Sequence, residues 1–234
     1  MIIAIDGPAA SGKSTSAKLL AKELDFLYLD TGAMYRCVSF SIMQEQIDIT
    51  SMDSLRKFLN HFEIDLKNNN GDPVFYVNGK NITDKIRKTN ISQKVSEISA
   101  IPIIREYMVK VQRNFTKDNS CVMEGRDIGT VVFPDAEIKF FMVASDKIRA
   151  KRRQLELESL GEKRSLNSLM EEIRKRDKFD SERGHSPLRK AFNAIEVDTT
   201  NMSINEQVNF MIGKVKLIIT GKNNKWIQLK KKPL

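Results

Sequence analysis

The chain has little of what many catalytic sites are built from: two histidines and two cysteines in 234 residues, one tryptophan, and aromatic side chains amounting to only 7%. His61 and His185 lie far apart in sequence with no acidic or cysteine partner at ligand spacing, so neither is assigned a catalytic role. Cys37 and Cys121 lack metal-ligand spacing, and one pair in a chain this long is no disulfide scaffold; both are expected as small buried hydrophobes. No apolar run reaches the length that crosses a bilayer, and the opening apolar stretch is interrupted at Asp6, too early for a secretory signal. A cytosolic protein with no membrane partner is expected. An apolar fraction of 41% beside 29% charged residues fits a globular chain, with room for one substantial core and an insertion, or two small domains.

Positive charge is plentiful, at a formal +9, which raises nucleic acid as a partner. Its placement argues otherwise. Part of it lies in a polar tail, 221–234, read as a solvated end, and the rest is arginine interleaved with acids, as in Arg174-Lys175-Arg176-Asp177-Lys178-Phe179-Asp180. Interleaving suits small anionic ligands better than a long polyanion, so no nucleic-acid partner is expected.

The sharpest motif comes early. Gly7-Pro8-Ala9-Ala10-Ser11-Gly12-Lys13-Ser14 fits G-x-x-x-x-G-K-[ST] at every fixed position. The apolar run Ile2-Ile3-Ala4-Ile5 before it reads as a buried strand, and Ala17, Leu20, Ala21 and Leu24 after it recur at helical spacing. Strand, glycine-rich loop and helix is the setting in which main-chain amides and a helix N-terminus bind a polyphosphate. Residues Gly7 through Thr15 are therefore the expected ATP site. Lys13 would bridge the outer phosphates and Ser14 would ligate the Mg2+ that accompanies ATP. A glycine turn entering a helix would need no lysine.

Further strands are expected at Phe26–Leu29, Cys121–Met123, Ile138–Val143 and Ala194–Val197, alternating with helical patterns. Between them the texture changes. Phe62, Ile64 and Leu66 alternate with Glu63 and Asp65, Asn68 to Pro73 reads as a turn, Val74–Val77 returns, and Asn78-Gly79 is a favoured hairpin corner. Beyond it Ile91, Val95 and Ile98 form a stripe, and Pro102 breaks or restarts the helix. Ser203-Ile204-Asn205-Glu206 fits a capping box for a last helix. The fold class that follows is α/β, with a central parallel sheet and a small antiparallel insertion, the ligand lying at the strand C-terminal ends.

Two polar clusters follow central strands and should face the loop: Asp30-Thr31-Gly32-Ala33-Met34-Tyr35-Arg36 and Glu124-Gly125-Arg126-Asp127-Ile128-Gly129-Thr130. With these, with Asp6-Gly7-Pro8, with the run on to Val131-Val132-Phe133-Pro134-Asp135-Ala136, and with Arg174-Lys175-Arg176-Asp177, Asp180, Arg183 and Pro187-Leu188, the chain resembles the bacterial cytidylate kinases over nearly its whole length. Only the extreme C-terminus falls outside the likeness.

The resemblance implies a P-loop NTPase-type three-layer fold with a nucleoside-monophosphate-binding insertion and a helical lid, acting on ATP and CMP or dCMP as a monomer. The core would be 1–60, 116–144 and 191–220, the insertion 61–115 and the lid 145–190. It implies that Thr31 helps hold the acceptor nucleotide, that Arg36 and Arg126 contact its phosphate, and that Asp127 holds its sugar. Ser96, Arg105 and Asp180 fall where the family hydrogen-bonds cytosine, and Arg87 matches a further residue of the insertion. Arg176 and Arg183 resemble the arginines that close on the transferring phosphoryl group; with Lys13 and Arg126 they form the implied catalytic set. Three departures stand out from the enterobacterial type: the loop reads Ala10-Ser11-Gly12-Lys13-Ser14-Thr15, and Phe179 and Glu124 occupy the places of an arginine and an aspartate.

The residues by themselves fit phosphoryl transfer between two anions. An acceptor phosphate oxygen needs no strong general base, only alignment and relief of repulsion, and arginines grip phosphate bidentately. Another small-molecule kinase, such as one for a different monophosphate or for shikimate, shares the loop but is disfavoured by the hairpin and by the Gly125 to Ala136 run. A regulatory GTPase is disfavoured by the lack of an Asn-Lys-x-Asp segment.

Overall fold

A computed structural model describes residues 1–69 and 72–230, with the backbone alone at 68, 69, 72, 89 and 222–230. A parallel sheet is built from β1 (Ile2–Asp6), β2 (Leu27–Asp30), β6 (Cys121–Gly125), β7 (Ile138–Val143) and β8 (Ile195–Asp198), in the order β2-β6-β1-β7-β8. β1 lies at the centre, with Ile3 opposite Val122 on one side and Ile138 on the other. Its alternation sorts the two apolar layers. Ile3 and Ile5 point to the face covered by α1 (Lys13–Leu24) and α8 (Ile204–Lys230), joining Ala17, Leu20, Phe140, Met142, Met211 and Val215. Ala4 points to the other face, where α2 (Thr31–Gln44), α3 (Met52–His61), α4 (Thr89–Ser99) and α5 (Pro102–Phe115) bring Met34, Val38, Phe58, Ile98, Ile104 and Met108. Each large side chain buried this way contributes roughly 1.5–3 kcal/mol against conformational entropy.

The insertion is a three-stranded antiparallel sheet, β3 (Ile64–Asn69), β4 (Asp72–Val77) and β5 (Lys80–Asn81), with Ile64 paired to Val77 and Val77 to Lys80. Asn78 and Gly79 both have positive φ, at 47° and 74°, as a type I′ corner demands. Asn70 and Gly71, in the turn expected between β3 and β4, lie outside the described residues. Pro102 sits in the first turn of α5, with two residues separating it from the end of α4, so the proline restarts the helix.

α6 (Asp146–Ser159) and α7 (Leu166–Glu182) form a helical pair over the sheet's C-terminal edge. Ala150 and Leu157 pack on Leu169 and Ile173, with Leu166 and Met170 beside them. The capping box at Ser203 is formed, with Glu206 N donating to Ser203 Oγ at 3.3 Å and Ser203 N to Glu206 Oε2 at 2.8 Å. The segment from Gly221, expected as a separate tail, continues α8 to Lys230, because the lysines, glutamine and leucine there favour helix and no proline comes before Pro233. Residues 231–234 lie outside the described residues. Cys37 and Cys121 are free and buried, and desolvation pushes both thiols up to about 12.

Candidate active site

β1 delivers the chain into the phosphate loop at Asp6, whose buried carboxylate accepts from Ile128 N at 2.8 Å and Gly129 N at 2.7 Å. Burial raises its pKa to about 6 despite these donors. Gly7 has φ 152°, and a Cβ there would lie 2.2 Å from the Met142 carbonyl oxygen, so only glycine lets the loop pass this close to β7. Gly12 is the N-cap of α1. Lys13 is folded back over the loop, its Nζ donating to Pro8 O at 2.7 Å and Ser11 Oγ at 3.4 Å. Desolvation, then the positive charges of Arg126 and Arg176, push its pKa down to about 7. Ser14 and Thr15 are exposed on the first turn of α1.

Ser14 Oγ donates to Glu124 Oε2 at 2.9 Å, and Tyr28 Oη donates to Glu124 Oε1 at 2.6 Å. Glu124 is thus the acid facing the loop from β6. Burial, then the neighbouring Asp30, raises its pKa. Among the described residues no group of three His, Cys, Asp or Glu side chains could hold a metal unaided. The hydroxyl and carboxylate of Ser14 and Glu124 do suit a hard cation that arrives carrying phosphate oxygens.

Across from the loop, buried and half-buried arginines and acids form a lattice of ion pairs. Arg105, on α5, donates through Nη2 to Asp127 and through Nη1 to Ser99 O at 2.9 Å. Arg126 Nε donates to Asp180 Oδ2 at 3.0 Å, tying the end of β6 to α7. Arg183 stands between both acids, 3.9 Å from Asp127 Oδ1 and 3.9 Å from Asp180 Oδ1, and its Nε donates to Ser186 O at 2.6 Å. Arg36 pairs with Asp30 at 3.1 Å. Arg176 is half-buried with no ion-pair carboxylate among the described residues, and desolvation followed by repulsion from Arg126 lowers its pKa to about 10. Thr31 Oγ1 donates to Glu124 O at 2.6 Å, fixing the start of α2 against β6.

Arg36 Nε, Arg105 Nε, Arg176 Nε and Arg183 Nη2 are buried with no hydrogen-bond acceptor, so the lattice keeps donors in reserve. The arrangement can therefore donate to anionic groups.

The structure brings Lys13, Arg126 and Arg176 into one electrostatic neighbourhood and joins Arg105, Asp127, Asp180 and Arg183 behind it. Ser96 lies half-buried on α4, and its carbonyl accepts from Ser99 Oγ at 3.2 Å. Arg87 is exposed on the 3₁₀ turn Lys85–Arg87, outside the lattice among the described residues. Three residues of the site carry no site role that the sequence shows. Asp6 lies just before the motif; Tyr28 has only its place near the end of a strand to mark it; and Arg149, on α6, shows only the Asp146–Arg149 spacing as a signal.

A family model described as cytidylate kinase matches residues 3–217. The chain is similar to a cytidylate kinase of Bacillus cereus, 44% identical over 219 residues that cover 94% of this chain and 96% of that protein. It is similar as well to a cytidylate kinase of Bacillus thuringiensis, 44% identical over 213 residues, covering 91% and 95%. Among solved structures, a gluconokinase from Sinorhizobium meliloti 1021 is a distant likeness, with TM-score 0.45 and 12% identity over 97% of this chain and 95% of that one. A phosphate loop on β1, a buried arginine–acid lattice facing it, and a match that runs from the first strand into the last helix lead to one statement: the chain belongs to the cytidylate kinase family.

Proposed function

We propose that this protein transfers the γ-phosphoryl group of ATP to CMP or dCMP, giving ADP and CDP or dCDP. The observation that carries the reading is the phosphate loop with Lys13 at its end and, within its electrostatic reach, Arg126 and Arg176, backed by the paired Asp127 and Asp180 carboxylates. Residues Gly7 to Thr15 take the triphosphate, with Lys13 on its outer phosphates. Arg36 and Arg126 take the acceptor phosphate, Asp127 and Thr31 the acceptor's sugar side, and Arg87 a place at the rim of the insertion. Arg105, Asp180 and Ser96 read cytosine: a carboxylate accepts from the exocyclic amine, and a guanidinium and a hydroxyl serve the ring's acceptors.

In the transfer the bond from the γ-phosphorus to its bridging oxygen breaks as an anionic oxygen of the acceptor phosphate forms the new bond. No proton has to be removed from the nucleophile, which fits a site without histidine. Lys13, Arg126, Arg176 and Arg183 offset the charge that gathers on the shared oxygens. Phosphate beside Lys13 opposes the desolvation that lowers its pKa, so the lysine is charged when it is needed. Ser14 and Glu124 are the residues that would hold Mg2+, which would neutralise phosphate charge when bound with ATP. Residues 145–190 act as the lid, excluding water that would otherwise take the phosphoryl group, and 61–115 as the acceptor-binding insertion. We assign the enzyme to the cytosol, working as a monomer on small substrates; no described helix is long and apolar enough to cross a membrane.

A coupled assay of ADP release, run with a panel of nucleoside monophosphates, tests this directly. Strong stimulation by CMP and dCMP is expected. No stimulation by either overturns the reading.

A further inference from the structure

Arg149 is the most heavily engaged arginine outside the lattice. Its side chain is 6% exposed, and every nitrogen of the guanidinium is committed. Nε donates to Ala144 O at 3.0 Å and Nη2 to Asp146 Oδ1 at 2.5 Å. Nη1 donates both to Ala9 O, at 3.1 Å, and to Asp177 Oδ2. The same Asp177 accepts from Ala9 N through Oδ1 at 3.2 Å. One arginine on α6 and one aspartate on α7 thus hold both main-chain polar groups of a single residue in the middle of the phosphate loop.

The neighbouring contacts run the same way. Ala10 sits at φ 56°, a conformation a non-glycine residue keeps only where its surroundings over-determine it, and its methyl packs on the Ala150, Leu157, Leu169 and Ile173 cluster. Asp146 is shared, since its other oxygen accepts from Arg174 Nε at 2.6 Å. Arg176, the residue before Asp177, is among the charges that depress Lys13.

We propose that the Arg149–Asp177 pair is a positioning device: it fixes the phosphate loop at Ala9 and registers α7 against it, so that Arg176 is aimed at the phosphates Lys13 holds. Neither residue touches substrate in this role. Arginine is required because a single lysine nitrogen cannot reach Ala144, Asp146, Ala9 and Asp177 together. Misplacement of a charged group by about 1 Å is enough to cost catalysis without loss of binding. The inference rests on the phosphoryl-transfer reading for its kinetic arm only.

The test uses the full chain with Arg149→Lys, Asp177→Ala and Asp177→Asn. Three quantities are read for each: kcat and KM with CMP, the thermal melt, and hydrogen–deuterium exchange of the peptide spanning 7–12 in the free protein. Arg149→Lys and Asp177→Ala should lower kcat roughly 10- to 100-fold while KM for CMP stays within about threefold, and should speed exchange in the loop. Asp177→Asn keeps an oxygen for Ala9 N–H and should recover part of both losses. Wild-type kcat with unchanged loop exchange overturns the proposal, and so does a fall in kcat that matches the unfolded fraction in the melt. If the wild type itself ignores CMP, the functional reading has failed, and the exchange of the 7–12 peptide still decides whether the pair holds the loop.

Discussion

The phosphate loop draws its contacts from the consecutive residues Gly7 to Ser14 and depends on main-chain geometry, whereas the lattice facing it draws side chains from α5, the end of β6 and α7. Arg105 and Asp127 are 22 residues apart, and Arg126 and Asp180 are 54. The loop tolerates almost no change of shape: a Cβ on Gly7 has no room against Met142 O. The lattice is a balance of charges, in which Arg105 and Arg126 are each held by a carboxylate that Arg183 also approaches. The proposed donor site takes its shape from a contiguous main-chain run, which distant side chains then brace at Ala9. The proposed acceptor site, made from ion pairs between distant residues, exists only once the chain has folded.

The comparison breaks most sharply at Lys13. Lys13→Ala removes the one positive side chain inside the loop and leaves the main-chain cradle intact, so kcat should fall roughly 10²- to 10³-fold or more with little change in the thermal melt. ADP release with ATP and CMP measures the first and circular dichroism the second. Turnover near wild type would remove Lys13 from its proposed role.

On the lattice side the same kind of truncation should act on the fold as well. Arg105→Ala leaves the buried Asp127 with Arg183 alone, 3.9 Å away, and losing the close partner of such a pair costs up to roughly 3–5 kcal/mol. The melt should drop by many degrees, and KM for CMP should rise more than KM for ATP. A variant that melts like the wild type would show the lattice to be less interdependent than its geometry implies.

This difference in construction explains what could be read from the sequence. The loop, its strand and its helix were legible because Gly7, Gly12, Lys13 and Ser14 are contiguous, and the Asn78-Gly79 corner because a type I′ turn needs positive φ at two adjacent residues. Arg149 was not legible, since its partners Ala9 and Asp177 are 140 and 28 residues away. Glu124 was legible as the first residue of a polar cluster facing the loop, but not its tie to Tyr28 and Ser14, which spans 96 and 110 residues. α3 buries Leu55, Phe58 and Leu59 at helical spacing, a signal of that helix in the sequence.

Titration sharpens the contrast within the donor side. Lys13, pushed down to about 7 by burial and then by Arg126, binds less proton in the folded protein than an ordinary lysine near 10.5 does in the unfolded chain. Between about pH 7 and 10.5 the unfolded state holds the extra proton, so this residue makes stability rise with pH, by at most about 1.4 kcal/mol per pH unit. Asp6 acts oppositely: its pKa is raised from 3.8 to about 6, so the folded state holds the extra proton there and stability falls as pH climbs through that window. Urea unfolding of the free protein at pH 7 to 10 should show the rise, and Lys13→Met should flatten it. An equal slope in the variant would assign the rise to other groups.

The smallest expected effect comes from applying one substitution to two glycines. Gly79 has φ 74°, and a methyl added there would meet no atom within 4 Å, so Gly79→Ala meets only backbone strain, roughly 1 kcal/mol or slightly more, and should leave kcat unchanged because the hairpin corner is remote from the loop. Gly7→Ala meets strain together with a Cβ placed 2.2 Å from Met142 O, which forces β7 or the loop to move. Its cost should appear in both stability and turnover, since the displaced atoms carry the phosphate site. The pair separates conformational strain from steric exclusion: equal losses of turnover in the two variants would mean that the loop's closeness to β7 does not matter to the chemistry, whereas a loss confined to Gly7→Ala identifies that approach as the feature the donor site requires.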